Sequence, residues 1–275
     1  MAVPMIRMMG MLYVLDKKSD SLVQQLPDGY LYLGLACENN DQIYKWDNFA
    51  RFIPDRSEVY ASLEQTDYIY YDTGEGYQRL IRAALVENEV TKDDPDNTAP
   101  EDYILAFFNT LLRPDSQSPY CQAAGQNFSQ PEAIDLYLFC YNGFPEWSHG
   151  VVPLTEEEKA FLAANGWGEE KPMSNAERFP ISAMDARLQK YLGIAFWDTW
   201  GVGLDRMENY RHENQCYYAW RSDARGSWAT ISSVEQENDT YHITYTLEDY
   251  TGNTYRMTLI KTDRLFRIYS NIIVK

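Results

Sequence analysis

The chain has 275 residues, a mass of 32.0 kDa and a formal net charge of −17, and 22 of its residues are tyrosines. This length can support one sizeable core or two. The negative charge repels phosphates and anionic headgroups, so it argues against nucleic-acid and direct membrane binding and favours a basic partner; solubility alone explains the charge equally well.

The start of the chain leaves two alternatives for the compartment. Residues 1–12 are apolar but short, contain Arg7 and continue into a strand-like run, so they make a poor signal peptide. No stretch has the roughly 18 consecutive apolar residues of a membrane helix, and we expect no transmembrane segment. The protein is therefore cytoplasmic, or its leader has been removed from this chain.

Residues 1–86 are predicted to form a small β-rich unit. Turn signals at residues 27–29, 54–55 and 72–74 separate short apolar or alternating runs. Residues 77–85 complete the unit as a strand or a short helix. The four predicted strands are residues 11–14, 29–34, 58–61 and 68–71.

Residues 87–101 mark the boundary between this unit and a second one, residues 102–275. The segment is acidic, contains two prolines and has no apolar periodicity, which is typical of a linker. Its Asp93, Asp94 and Asp96 lack the spacing and the distal glutamate of a calcium loop. We therefore interpret these aspartates as part of a solvated linker.

Residues 102–193 are predicted to be mainly helical. Residues 102–112 carry an apolar face and end before a proline, and residues 130–139 form a second compact apolar piece. Residues 155–166 form the best-defined helix, because Thr155 and Glu158 make a capping box and Asn165-Gly166 supplies the stop.

A further helix over residues 180–193 leads into a β-meander in residues 214–275. Ser182 is the predicted N-cap, and Gly193 is where the chain leaves the helix. One helix wrapped by such a meander indicates a cystatin/NTF2-like C-terminal unit, so the expected fold class is α+β. The predicted apolar helix face is Ile181, Met184, Leu188, Tyr191 and Leu192. The predicted strands are residues 216–220, 228–234, 241–247, 255–260 and 265–273.

Recognisable catalytic and metal-binding motifs are missing from the sequence. His149, His212 and His242 share no metal-ligand spacing, and there is no nucleophile elbow, Walker A loop or dinucleotide fingerprint. With 41 acidic residues, pairs such as Asp198 and Asp205 are expected by chance. We therefore expect no catalytic residues, no metal and no cofactor.

The four cysteines are widely spaced and include no CxxC pair, which argues against a zinc ribbon. Isolated buried thiols are the default interpretation. If the protein is secreted, Cys121 and Cys140 are candidates for a disulfide, because they flank a turn-rich segment, although spacing alone does not fix pairing.

Aromatic residues between 196 and 228 are the best candidates for a binding surface. Trp and Tyr combine a large apolar area with a polar tip and are frequent interface anchors; the alternative is that most of them fill the core. Trp197 and Trp200 are the better surface candidates because they lie in a loop-like stretch. The candidate partner-binding residues are Trp197, Trp200, Tyr210, Tyr218 and Trp220.

Six motifs carry a family resemblance. They are PEAIDL at 131–136, LTEEE at 154–158, MDARLQKYLG at 184–193, GLDRM at 203–207, NQCYYAW at 214–220 and YSN at 269–271. Together they resemble a group of exported or lipid-anchored proteins of gut Clostridia. Residues 184–271 also resemble, more distantly, the IseA-type inhibitors of cell-wall DL-endopeptidases. Residues 220–223, WRSD, depart from the His-Gly-Asp-type run of such proteins.

The resemblance implies a location outside the cytoplasmic membrane, with the leader or lipid anchor missing from this chain, and it carries over no inhibitory residue. Three functions then compete. The first is a non-enzymatic binding protein whose partner is a protein, such as a basic cell-wall hydrolase that it inhibits. The second is a cup for a small apolar ligand. The third is a hydrolase that uses carboxylates with His149 or His212.

Overall fold

The computed structural model of the chain describes residues 4–9, 11–16, 22–38, 49–83, 102–113, 118–140, 153–207, 209–220, 227–248 and 251–275. Within these ranges the fold is mixed α+β, which confirms the predicted class. The predicted linker at residues 87–101, with its aspartates, lies outside the described residues. None of the described helices is long and apolar enough to cross a membrane.

Eight strands form the first, curled sheet. They are β1 (Met5–Met8), β2 (Met11–Leu15), β3 (Tyr30–Leu35), β4 (Cys37–Glu38), β5 (Phe49–Arg51), β6 (Glu58–Ser62), β7 (Tyr68–Asp72) and β8 (Tyr77–Arg82). Their order is β3-β6-β7-β8-β2-β1-β5-β4, and only β4 and β5 pair in parallel. The four predicted strands are confirmed as β2, β3, β6 and β7. β1 is not among the predicted strands, because its residues are all buried and therefore lack the alternation of a half-exposed strand.

Five helices are present in the described ranges: α1 (Tyr103–Leu111), α2 (Pro119–Ala124), α3 (Leu136–Cys140), α4 (Glu156–Ala164) and α5 (Ile181–Tyr191). The α4 capping box is confirmed. The predicted apolar face of α5 is buried, and Gly193 adopts the left-handed φ of +75° just after the helix. The predicted N-cap is wrong: Pro180 occupies that position and Ser182 lies inside the helix, exposed to solvent.

Two further sheets follow. The second contains β9 (Ala176–Pro180), β10 (Asn209–Arg211) and β11 (Cys216–Trp220), in the order β10-β11-β9. The third is the meander of β12 (Ala229–Glu237), β13 (Thr240–Leu247), β14 (Thr254–Lys261) and β15 (Phe266–Ile273). The predicted strand at 216–220 thus has the correct bounds but does not belong to the meander, because all five of its residues pair with β9.

The buried face of the meander is filled mainly by α1. The Phe108 ring lies 5.6 Å from the Tyr241 ring and 5.2 Å from the Phe266 ring, and Phe107 adds a contact to Phe266 at 6.2 Å. All four rings are buried, and burying each contributes roughly 1.5–3 kcal/mol. The sequence predicts the helix at 180–193 in this place, but α5 packs against β15 while α1 lies on β12.

The two predicted units share one hydrophobic cluster. Tyr32 of β3 and Tyr191 of α5 both belong to it, with ring centroids 6.2 Å apart. The Tyr32 N–H also donates to the Arg264 carbonyl at 2.8 Å, and Lys190 pairs with Glu58 at 3.2 Å. Residues on both sides of the predicted linker therefore complete the same core.

Candidate functional site

The five aromatic residues that the sequence analysis singled out have very different environments. Trp197 is 77% exposed and Trp200 is 63% exposed, whereas Tyr210 and Trp220 are about half as accessible at 39% and 38%. Tyr218 is fully buried, so it cannot contact a partner directly. The two tryptophans of the loop are therefore the main exposed aromatic groups of this set.

The other three candidates do not form one surface. Tyr210 lies directly opposite Tyr217 across β10 and β11, with the rings 4.7 Å apart. Side chains alternate along a strand, so Tyr218 and Trp220 project from the opposite face. Tyr210 and Trp220 are thus separated by the three-stranded sheet itself.

Tyr218 is buried because it completes a polar cluster beneath α4. Its hydroxyl donates to Oε1 of Glu158 at 2.7 Å and accepts from Nδ2 of Asn214 at 2.8 Å. A buried hydroxyl needs such partners, since leaving it unpaired costs about 1–3 kcal/mol. The expectation that Tyr218 anchors a partner is wrong for this reason.

Glu158 is the centre of that cluster. Arg178 donates to both carboxylate oxygens, from Nε at 2.9 Å and from Nη2 at 2.7 Å, and the Thr155 N–H adds a third bond at 2.8 Å. Burial acts to raise the pKa of Glu158, but the hydrogen bonds from Arg178, Tyr218 and Thr155 outweigh it and lower the pKa to about 2. A carboxylate so strongly paired holds structure and is a poor general base.

The exposed tryptophans lie on residues 195–203, which we call the tryptophan loop. The loop begins with a 3-10 turn, Phe196–Asp198, in which the Asp198 carboxylate accepts from the Ala195 N–H at 3.0 Å. Phe196 is buried, and its N–H donates to Oδ1 of Asp185 on α5 at 2.7 Å. Asp185 therefore fixes the first half of the loop to the helix.

The second half of the tryptophan loop is bonded to the segment that leads into α3. The Trp200 N–H donates to the Glu132 carbonyl at 2.8 Å, and the Val202 carbonyl accepts from the Leu136 N–H at 2.9 Å. These two bonds hold the backbone on either side of the exposed Trp200 side chain. The loop is thus anchored at both ends by residues distant in sequence.

Gly203 closes the loop in a conformation that suits glycine. Its φ is +83°, and a Cβ at this position would clash with Oδ1 of Asp135. Asp135 also forms an ion pair with Arg206, whose guanidinium lies 4.9 Å from the centre of the Tyr137 ring. The backbone at Gly203, the last residue of the loop, is therefore packed closely against Asp135.

The Trp197 side chain packs against the Phe196 ring and is otherwise exposed to solvent. Its ring meets the buried Phe196 ring edge to face, at 5.0 Å and 86°. The acidic residues Asp198 and Asp205, both exposed, lie in and just after the loop. The arrangement offers a fixed apolar projection in an acidic setting, which suits contact with a partner that has a basic, concave surface.

The candidate catalytic histidines within the described residues are not brought together. His149 lies outside the described residues, His212 is exposed on a turn after β10, and Nδ1 of His242 bonds Oγ1 of Thr258 at 3.1 Å on the meander. Across the described ranges, no group of three His, Cys, Asp or Glu side chains is placed to hold a metal ion.

Cys140 is a free thiol in the structure, so the expected disulfide with Cys121 is not formed there. Burial raises the pKa of Cys140 to about 11 and that of Cys216 to about 12. Thiols with such pKa values are protonated at neutral pH and are weak nucleophiles. These two residues therefore have the properties of inert core groups.

Comparison with known proteins does not assign the chain to a family. No protein-family model, no curated protein and no solved structure matches the chain.

Proposed function

We propose that this chain is a non-enzymatic protein that binds a protein partner outside the cytoplasmic membrane, with the tryptophan loop as its main contact. One observation carries the proposal: Trp197 and Trp200 are 77% and 63% exposed on a loop whose backbone is bonded to Asp185 on one side and to residues 131–136 on the other. Large apolar groups held in solvent in this way are typical of interaction sites.

Because the backbone of the loop is already fixed, less conformational entropy is lost when a partner binds. Ordering a mobile loop on association costs free energy. Here the bonds at Phe196, Trp200 and Leu136 order the loop backbone in the folded protein, before any partner binds. A buried tryptophan at the centre of an interface typically contributes about 2 kcal/mol or more. Two such residues on one loop suit insertion into a cleft.

Charge supports a basic partner. The net charge of −17 and the exposed carboxylates near the loop would accelerate encounter with a positively charged protein, and salt would weaken this effect. The specific form that we propose is inhibition of a basic cell-wall hydrolase, with the tryptophan loop blocking its substrate cleft. The resemblance of the motifs to exported proteins supports the location and this choice of partner.

The ligand-cup alternative is weaker. A cup needs open space on the concave face of the meander, and the rings of Phe107, Phe108 and Phe266 occupy that face. Tyr245 is also buried there, with its hydroxyl donating to the Ala124 carbonyl at 2.8 Å. The described part of this face is thus packed with protein side chains.

The test is an inhibition titration. The purified chain is added to a papain-type DL-endopeptidase degrading peptidoglycan, at low and high salt, together with the variants Trp197→Ala, Trp200→Ala and Trp228→Ala. Trp228 is the control, since it is 42% exposed on the meander, away from the loop in sequence. We expect salt-sensitive inhibition that falls about 30-fold or more in each loop variant and is unchanged in the control. Absence of inhibition at any ratio contradicts the inhibitor function.

A further inference from the structure

The first strand of the meander, β12, has one side without a neighbouring strand among the described residues. The sheet order is β12-β13-β14-β15, and the backbone bonds of β12 to other described residues run to β13 and its flanks. At nine residues, β12 is the longest strand of the described fold. The strand contains no lysine, arginine or proline, the residues that usually protect a sheet edge from pairing.

The hydrogen-bond alternation of β12 shows which residues direct their N–H and C=O outward. Glu237 pairs with Thr240 across a two-residue turn, so its backbone N–H and C=O point towards β13. At the other end, the Trp228 carbonyl accepts from the Glu248 N–H and therefore also points towards β13. A bulge lies between Ile231 and Ser233. Counting from both ends, the outward-directed residues are Ala229, Ile231, Val234 and Gln236.

We propose that β12 pairs antiparallel with β12 of a second copy of this chain, about a two-fold axis at the bulge. The spacing of the outward-directed residues is symmetric about Ser232 and Ser233. Val234 then lies opposite Ile231 of the second copy and Gln236 opposite Ala229, so every outward group meets another outward group. This edge shares no residue with the tryptophan loop, and the inference does not depend on the proposed function.

Side chains on the two faces agree with this register. Ile231 is buried on the core face, and Val234 packs against the same cluster, so their juxtaposition extends an apolar face across the interface. Thr230 and Glu235 are exposed on the outer face and become direct neighbours. A two-fold axis perpendicular to the sheet keeps each face on its own side.

Charge also favours this register over its alternatives. The acidic residues of β12, Glu235 and Glu237, meet neutral partners, Thr230 and Trp228 of the second copy. Registers centred closer to the turn after Glu237 would place glutamates of the two copies opposite each other. Directly opposed like charges destabilise a pair of strands. The strand is therefore self-complementary in one arrangement, which joins two four-stranded sheets into a single eight-stranded sheet.

The experiment is sedimentation equilibrium of the full chain from micromolar to millimolar concentration, with Thr230→Lys, Thr230→Glu and Thr246→Lys. In the proposed register a lysine at 230 lies opposite Glu235 twice in each dimer, so we expect the dissociation constant to fall about fivefold; a glutamate there should raise it about fivefold. Thr246 is exposed on the central strand β13 and adds the same charge away from the edge. Its variant should match Thr230→Lys in net charge but stay within about twofold of the unmodified chain.

Hydrogen exchange gives a second measurement. The amides of Val234 and Gln236 should exchange more slowly as protein concentration rises, because they become bonded in the dimer. A chain that stays monomeric throughout, or a dimer that responds equally to Thr230→Lys and Thr246→Lys, would overturn the proposal.

Discussion

Replacing Glu158 by glutamine should destabilise the protein by about 3 kcal/mol at neutral pH. The carboxyl has its pKa lowered from 4.5 to about 2, and each unit corresponds to about 1.4 kcal/mol of preference for the ionised form in the folded state. Glutamine also removes the carboxylate charge that pairs with the Arg178 guanidinium, which is 4% exposed. Measured losses of about 3–5 kcal/mol on breaking buried pairs agree with this size.

The pH dependence has a definite sign. Because the folded pKa of Glu158 lies below its ordinary value, the ionised carboxylate favours the folded state. Its contribution is complete above about pH 4.5 and is lost as the pH falls towards about 2. The stability difference between the natural chain and Glu158→Gln should therefore shrink over that range, because the natural chain loses the same charge.

Urea unfolding at neutral pH and at about pH 3 measures both effects. Glu156→Gln is a matched control in the first turn of the same helix, since the Glu156 side chain is 86% exposed and its pair with Lys159 is a surface one. The control should change stability by less than about 0.5 kcal/mol. Equal stability of Glu158→Gln and the natural chain at neutral pH would refute the reasoning, as would a difference that does not shrink in acid.

Three further predictions concern single positions. Tyr218→Phe removes the hydroxyl that bonds Glu158 and should cost about 1–3 kcal/mol in urea unfolding, with the secondary structure unchanged by circular dichroism. Gly203→Ala places a Cβ at a φ of +83° where it would clash with Asp135, so we expect a lower melting temperature and altered tryptophan emission. A melting temperature at or above that of the natural chain would contradict the strain and the close packing at this position. Cys140, buried with its pKa raised to about 11, should resist alkylation at neutral pH in the folded protein and react readily in urea, as measured by mass spectrometry of its peptide.

Local patterns in the sequence were sufficient for several elements. The capping box of Thr155 and Glu158 is a contact between residues three apart, so the sequence could predict it. The meander strands β13 and β14 alternate buried and exposed residues, and their predicted bounds are correct to about one residue. Features that depend on neighbours along the chain are the ones that sequence reasoning recovers.

Pairings between distant segments could not be read from the sequence. Adjacent Tyr217 and Tyr218 face opposite sides of β11, and Tyr218 is the buried one because α4 packs on its side. The role of Asp185 was also missed, because its bond to the Phe196 N–H joins a helix to a loop eleven residues later. Exposure of Trp197 and Trp200 was predicted from their loop context, which is a local property.

The contact between the N-terminal sheet and the last hairpin affects how the protein is made. Nη1 of Arg264 donates to the Pro27 carbonyl at 2.6 Å, a contact between residues 237 positions apart, and the Arg264 carbonyl accepts from Tyr32. At roughly 5–20 residues per second, a ribosome adds that length in about 10–50 s. During this interval β3 has emerged while the hairpin that bonds to it through Arg264 has not. Until the final strands arrive, the nascent sheet therefore has an uncovered edge at β3, and such unpaired edges are prone to aggregation.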